Sequence, residues 1–152
     1  MATNELDLTY DYYLAAPADA VWKAITDGAE TEKYFYGTRL VGRLERGASL
    51  AYEAGGASLV EGRVIDIEHG KRLVSQQRSL WDEKVAADPA STVRWELTAM
   101  GPKATRLVLV HGGFDRKTET YEQSARGWPV ILSSLKTLVE TGAPLVLPQE
   151  GA

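Results

Sequence analysis

The chain has 152 residues, 44% hydrophobic and 25% charged, which suits one soluble domain with a substantial core. Its net charge of −4 excludes a general basic field for nucleic acid or anionic lipid. With no cysteine, disulfides, thiolate metal sites and a cysteine nucleophile are excluded as well.

The N-terminus, Met1-Ala2-Thr3-Asn4-Glu5, is polar and lacks the apolar core of a signal peptide. No run approaches the ~18 apolar residues of a membrane span, so the cytoplasm is the expected location. Leu6, Leu8, Tyr10, Tyr12 and Leu14 alternate with Asp7, Thr9, Asp11 and Tyr13, the period of a half-buried strand. Ala16-Pro17 ends it. Proline is tolerated in a first helical turn, and Asp19 suits the positive end of a helix dipole. Val21, Trp22 and Ile25 then form the apolar face of a short helix ending near Asp27-Gly28. A second short helix is expected over residues 30–36, with Gly37 as its C-cap.

Residues 38–44 and 48–52 read as two strands joined at Glu45-Arg46-Gly47. After Gly55-Gly56 a longer strand, 59–68, turns at His69-Gly70-Lys71 into 72–81. Residues 82–91, with Asp88-Pro89 inside, read as a loop. In 92–99, Val93, Trp95 and Leu97 share one face, and Arg94 and Glu96 the other. Gly101-Pro102 turns the chain into 105–111, apolar on both faces. This spacing of strands and turns predicts an antiparallel meander.

The most strongly periodic stretch is 118–140. Tyr121, Ala125, Trp128, Leu132, Leu135 and Leu138/Val139 recur at three- and four-residue steps, one face of an α-helix. The helix is expected to begin near Thr118 or Thr120, where Thr120-Tyr121-Glu122-Gln123 has the form of a capping box; Gly142 and Pro144 end it, and Pro129 removes one bond inside it. Residues 143–152 are expected to be a loosely held tail beyond a core of about 6–142.

Strand, two short helices, six strands and a long helix make an α+β chain whose order resembles the helix-grip fold of the START-like, or Bet v 1-like, superfamily. Within it the chain resembles the family named for the activator of the Hsp90 ATPase. The residues that carry the likeness are Ala16-Pro17 with Val21-Trp22, Ala24-Ile25-Thr26-Asp27 and Tyr34 to Gly37. Gly62-Arg63-Val64 before Arg72-Leu73-Val74, and Leu107 to His111 before Gly113-Phe114, continue it. Gly127-Trp128 ahead of Leu132, Leu135 and Lys136 completes it. The resemblance implies a curved antiparallel sheet of about seven strands wrapped around the C-terminal helix, with an apolar cavity between them. The co-chaperone role in that family goes with an additional N-terminal domain that nothing in this sequence resembles. The family name is therefore not expected to describe this protein's activity.

The cavity candidates are Trp22, Tyr34, Phe35, Gln77, Trp81, Trp95, Leu97, Leu109, His111, Tyr121, Trp128 and Leu132. Each has a plainer reading as core. For Trp22, on a short helix that must seal the end of the sheet, core comes first. His111 reads either as a strand-end histidine bonded to backbone or as a polar group at the cavity mouth titrating near neutral pH. Gln76 and Gln77 straddle the two faces of a strand, so one should point inward, where a buried amide needs a partner. Glu53, Glu61, Arg63, Arg78, Arg94 and Glu96 can face either side; an inward carboxylate would have a raised pKa and general-acid potential. Arg94 and Glu96 are expected to face water. His111-Gly112-Gly113 is no esterase oxyanion loop, because no Gly-x-Ser-x-Gly accompanies it. With two histidines far apart and no cysteine, no metal site is expected, nor are a cofactor or catalytic residues.

The leading functional expectation is binding of a small apolar or amphipathic molecule, by a monomer or homodimer. A chaperone-associated or regulatory protein-interaction module comes second. A cyclase-like enzyme using the same cavity comes third.

Overall fold

The computed structural model describes residues 5–147. Residues 1–4, which carry most of the polar N-terminus, and 148–152 of the expected tail lie outside the described residues. The elements in chain order are β1 (Leu8–Leu14), α1 (Ala18–Thr26), α2 (Gly28–Tyr34), β2 (Arg39–Gly42) and β3 (Ser49–Ala54). Then come β4 (Ala57–Glu68), β5 (Arg72–Ser79), α3 (Glu83–Ala86), β6 (Ser91–Ala99), β7 (Thr105–Gly112) and α4 (Glu119–Thr141). The strands form one antiparallel sheet in the order β1-β7-β6-β5-β4-β3-β2. Together they make the α+β helix-grip fold, an open curved sheet with a long C-terminal helix.

The connections explain the order. From β2 to β7 each strand pairs with its successor, and β1 closes against β7 with Leu8 opposite His111 and Leu14 opposite Thr105. β1 and β2 are therefore opposite edges, and α1 and α2 carry the chain from one to the other. Register shifts between Tyr52 and Glu53 in β3 and between Val64 and Asp66 in β4 are bulges, which bend and twist the strands that contain them. Ile65 is the extra residue of the second bulge and is exposed. Asp66 beside it holds both Arg46 (2.7 Å) and Arg72 (2.9 Å).

The inner face of the sheet and α4 share one core. Val93, Trp95 and Leu97 from β6 and Leu107 and Leu109 from β7 meet Trp128, Ile131, Leu132, Leu135 and Leu138. Val21, Ala24 and Ile25 of α1 join it, and the Tyr34 hydroxyl donates to the Ala24 carbonyl at 2.8 Å, tying α2 to α1. Arg94 and Glu96 pair with each other at 3.0 Å on the outer face.

Local details resolve or change the expectations. Of the two candidate starts, Thr118 caps α4: its hydroxyl accepts the Tyr121 N–H at 3.1 Å. Thr120 is instead held by Asp88, whose carboxylate accepts from its N–H and its hydroxyl, both at 2.8 Å. Residues 82–91 are not only loop, since Asp82 caps the single turn of α3 by accepting the Val85 N–H at 2.9 Å. The second helix starts earlier than its apolar residues suggest, because Asp27 caps it through the Ala29 N–H. It also ends earlier, so that Tyr36 (φ 51°) as well as Gly37 (φ 72°) takes the left-handed conformation. Gly142, with φ 89° and its N–H on the Leu138 carbonyl, ends α4 where the sequence places the stop.

Candidate functional site

A cavity of about 420 Å³ opens between α4 and the sheet. The sheet contributes Tyr52, Leu59, Val60, Gln77, Ser79 and His111. The segment after α2 contributes Phe35, Tyr36 and Thr38, and Trp81 follows β5. From α4 come Gln123, Ser124, Arg126, Gly127, Trp128 and Ile131. Among the described residues, no carboxylate lines it.

One wall is aromatic. Phe35 stacks on Tyr52 with ring centroids 4.7 Å apart and meets Trp128 edge-on at 5.7 Å. Trp128 in turn meets Trp95 edge-on at 5.7 Å, so one run of rings links β3, β6 and α4. Such rings have few rotatable bonds and hold their geometry by mutual contact.

His111 sits behind Trp128, 4% exposed. The Trp128 indole N–H donates to His111 Nδ1 at 3.0 Å, and His111 Nε2 lies 2.7 Å from Ser91 Oγ. Indole only donates, so Nδ1 must be the acceptor and Nε2 carries the proton and donates to Ser91. Burial pushes the His111 pKa down to about 4. Protonating Nδ1 would also set two N–H groups against each other. His111 is thus a neutral structural node bonded to side chains. It is neither bonded to backbone nor poised to titrate near neutral pH, which corrects both sequence readings. The serine–histidine pair is no nucleophile either: a base must accept the hydroxyl proton, and here the imidazole donates instead.

At the mouth the exposed Trp81 donates its indole N–H to Gln123 Oε1 at 2.6 Å. Both protons of the Gln123 amide go to carboxylates, Asp82 and Glu119, each at 3.0 Å. Gln77 is the inward glutamine of its pair and donates to Ser75 Oγ at 2.9 Å, while Gln76 is exposed. Burial raises the pKa of the Tyr52 hydroxyl.

Of the twelve candidates, Phe35, Gln77, Trp81, His111 and Trp128 line this cavity. Trp95, Leu97, Leu109 and Leu132 are core side chains outside its wall. Tyr34 is buried against α1. Trp22 packs half-buried against His69, ring to ring at 6.1 Å, and Tyr121 packs edge-on against Phe114. Glu53, Glu61, Arg63 and Arg78 are exposed, so none supplies an inward charge. Residues not singled out from sequence include Tyr36, Tyr52, Ser79, Ser124 and Arg126. Ser124 and Ile131 stand four before and three after Trp128, and Ser79 two after Gln77. Periodicity contained the signal for those three.

A family model described as Activator of Hsp90 ATPase homolog 1-like protein matches residues 15–140. No curated protein matches the chain. Among solved structures, DynU16, from the dynemicin biosynthetic locus, is 26% identical with a TM-score of 0.77 over 93% of this chain. The match spans about half (49%) of DynU16's own length. CalU16 from Micromonospora echinospora is 24% identical with a TM-score of 0.72, covering 91% of this chain and 76% of its own. PFC0360w, an HSP90 activator from Plasmodium falciparum, is 17% identical with a TM-score of 0.72, covering 91% and 97%. The last two show a shared fold. With the family model spanning nearly the whole helix-grip core, this chain belongs to the Activator of Hsp90 ATPase homolog 1-like family of the START-like superfamily.

Proposed function

We propose that this protein binds a small apolar or amphipathic molecule in the cavity between α4 and the sheet. The observation that carries the reading is the cavity itself: about 420 Å³, walled by Phe35, Tyr52, Trp128 and Ile131, with polar groups at its rim. Ligand sites of this kind are concave, mostly apolar and sparsely polar. The volume lies within the roughly 300–1,000 Å³ range of small-molecule pockets. It suits one or two rings with a head group. The origin of DynU16 in a biosynthetic locus is consistent with a small organic ligand.

A cyclase-like reaction would need an acid–base pair on the cavity wall. The wall has no carboxylate among the described residues, and its imidazole has both nitrogens committed.

The test is a thermal-shift screen of fatty acids, sterols, polyketides and aromatic acids. A ligand at 100 times its Kd stabilises by about 2.7 kcal/mol, which for a chain of this length raises Tm by roughly 5–10 °C. Ser79→Leu, which places carbon in the cavity, should abolish the shift. If no compound shifts Tm, or if the shift survives Ser79→Leu, the reading is wrong.

A further inference from the structure

We propose that the occupant is an organic acid: an apolar, ring-sized body with one carboxylate-type head seated on Arg126. This rests on the binding reading above and narrows it to a ligand class.

Arg126 lines the cavity from α4 and is exposed at its rim. Among the described residues it makes no hydrogen bond and no ion pair. Arg46, Arg72, Arg94 and Arg106, by contrast, each hold a carboxylate within 3.0 Å. The nearby acids Asp82 and Glu119 are bound to Gln123, and neither lines the cavity. His111 is neutral, so Arg126 sets the charge of the wall among the described residues. An apolar chamber with one unspent guanidinium at its rim selects for an anion with an apolar body. The planar guanidinium fork fits a carboxylate with two parallel hydrogen bonds.

Deeper groups point the same way. Tyr52 (2% exposed), Ser79 (8%) and Ser124 (8%) line the cavity, and their hydroxyls have no protein hydrogen-bond partner among the described residues. Among the described residues no fully buried side-chain polar atom lacks a partner, so these hydroxyls open onto the cavity. A hydroxyl that faces the cavity with no protein partner is free to donate to or accept from a second ligand oxygen.

The experiment is calorimetric titration with two matched pairs, 2-naphthylacetic acid with its amide and decanoic acid with its amide, against wild type and Arg126→Gln. In at least one pair the acid should bind wild type 10-fold or more tightly than the amide. Arg126→Gln should remove that preference, weakening the acid far more than the amide. The variant should keep the wild-type Tm to within about 2 °C, since Arg126 makes no hydrogen bond or ion pair to lose among the described residues. Acid and amide binding alike, or a preference that survives Arg126→Gln, overturns the anion assignment and leaves the cavity reading standing. Binding of no member of either pair overturns both.

Discussion

His111 makes a quantitative prediction. Its native pKa is pushed down to about 4 by burial, against about 6.5 for an unfolded histidine. Between those values the unfolded chain carries the proton and the native chain does not. Stability therefore rises with pH across that window and is lost as pH falls from about 6.5 towards 4. A gap of 2.5 units is worth about 3 kcal/mol in full, and about 2 kcal/mol of it is gone by pH 5. The assay is urea unfolding of wild type and His111→Gln at pH 7 and pH 5. Asp11, Asp66, Asp82 and Glu140 are held below the usual carboxylate range by their hydrogen-bond partners. They too lose stabilisation in acid, but equally in both proteins. Glutamine does not titrate, so the variant should lose about 2 kcal/mol less than wild type between the two pH values, whatever its stability at pH 7. Equal losses in the two proteins would refute the reasoning. So would a His111 NMR resonance that titrates near 6.5 in the folded protein.

Three further substitutions test the scaffold. A Cβ at Gly62 would lie 2.0 Å from the Gln76 carbonyl oxygen in the neighbouring strand. Gly62→Ala should cost about 1–3 kcal/mol in urea unfolding, because a ladder carbonyl cannot move aside alone. Thr118→Ala should cost about 1 kcal/mol through loss of the α4 cap, and Thr118→Ser should restore most of it. Tyr36 holds φ 51° with 61% of its surface exposed. Tyr36→Asn should raise stability by up to about 1 kcal/mol, read as Tm, since asparagine tolerates the left-handed region.

The elements that were legible are those in which one periodicity runs unopposed. β6 alternates with one face buried over residues 91–97, so period two alone locates it. α4 has a capping threonine, an apolar face and a C-terminal glycine, all readable locally. Its start stays open between Thr118 and Thr120 in the sequence because both are chemically competent caps, and only Asp88, 32 residues from Thr120, decides between them. α3 escaped because a single turn has no period to read. The site was harder. His111 gains its character from Ser91 and Trp128, which lie 20 and 17 residues away. Arg126 reads as an ordinary solvated position on its helix. It becomes notable only once the cavity is seen to open beside it.

The position of the cavity has a local cause, and it yields the last prediction. The inward residues of β6 are Val93, Trp95 and Leu97, and those of β7 include Leu107 and Leu109; these large side chains fill the space beneath α4. The inward residues of β5 are Leu73, Ser75, Gln77 and Ser79, so the strand ends inward on a small side chain. Beside Ser79 across the ladder is Val60, also small. The chamber opens where Ser79 and Val60 leave a gap in the inner face of the sheet. Placing a leucine at Ser79 removes an unpartnered hydroxyl and puts carbon into available volume. Cavity filling of this kind commonly adds about 0.5–2 kcal/mol. Ser79→Leu should therefore raise the Tm of the free protein while weakening every cavity ligand, a gain in stability at the expense of binding. A lower Tm would mean that the volume beside Ser79 cannot accept a larger side chain, and that the binding site must be sought elsewhere on the molecule.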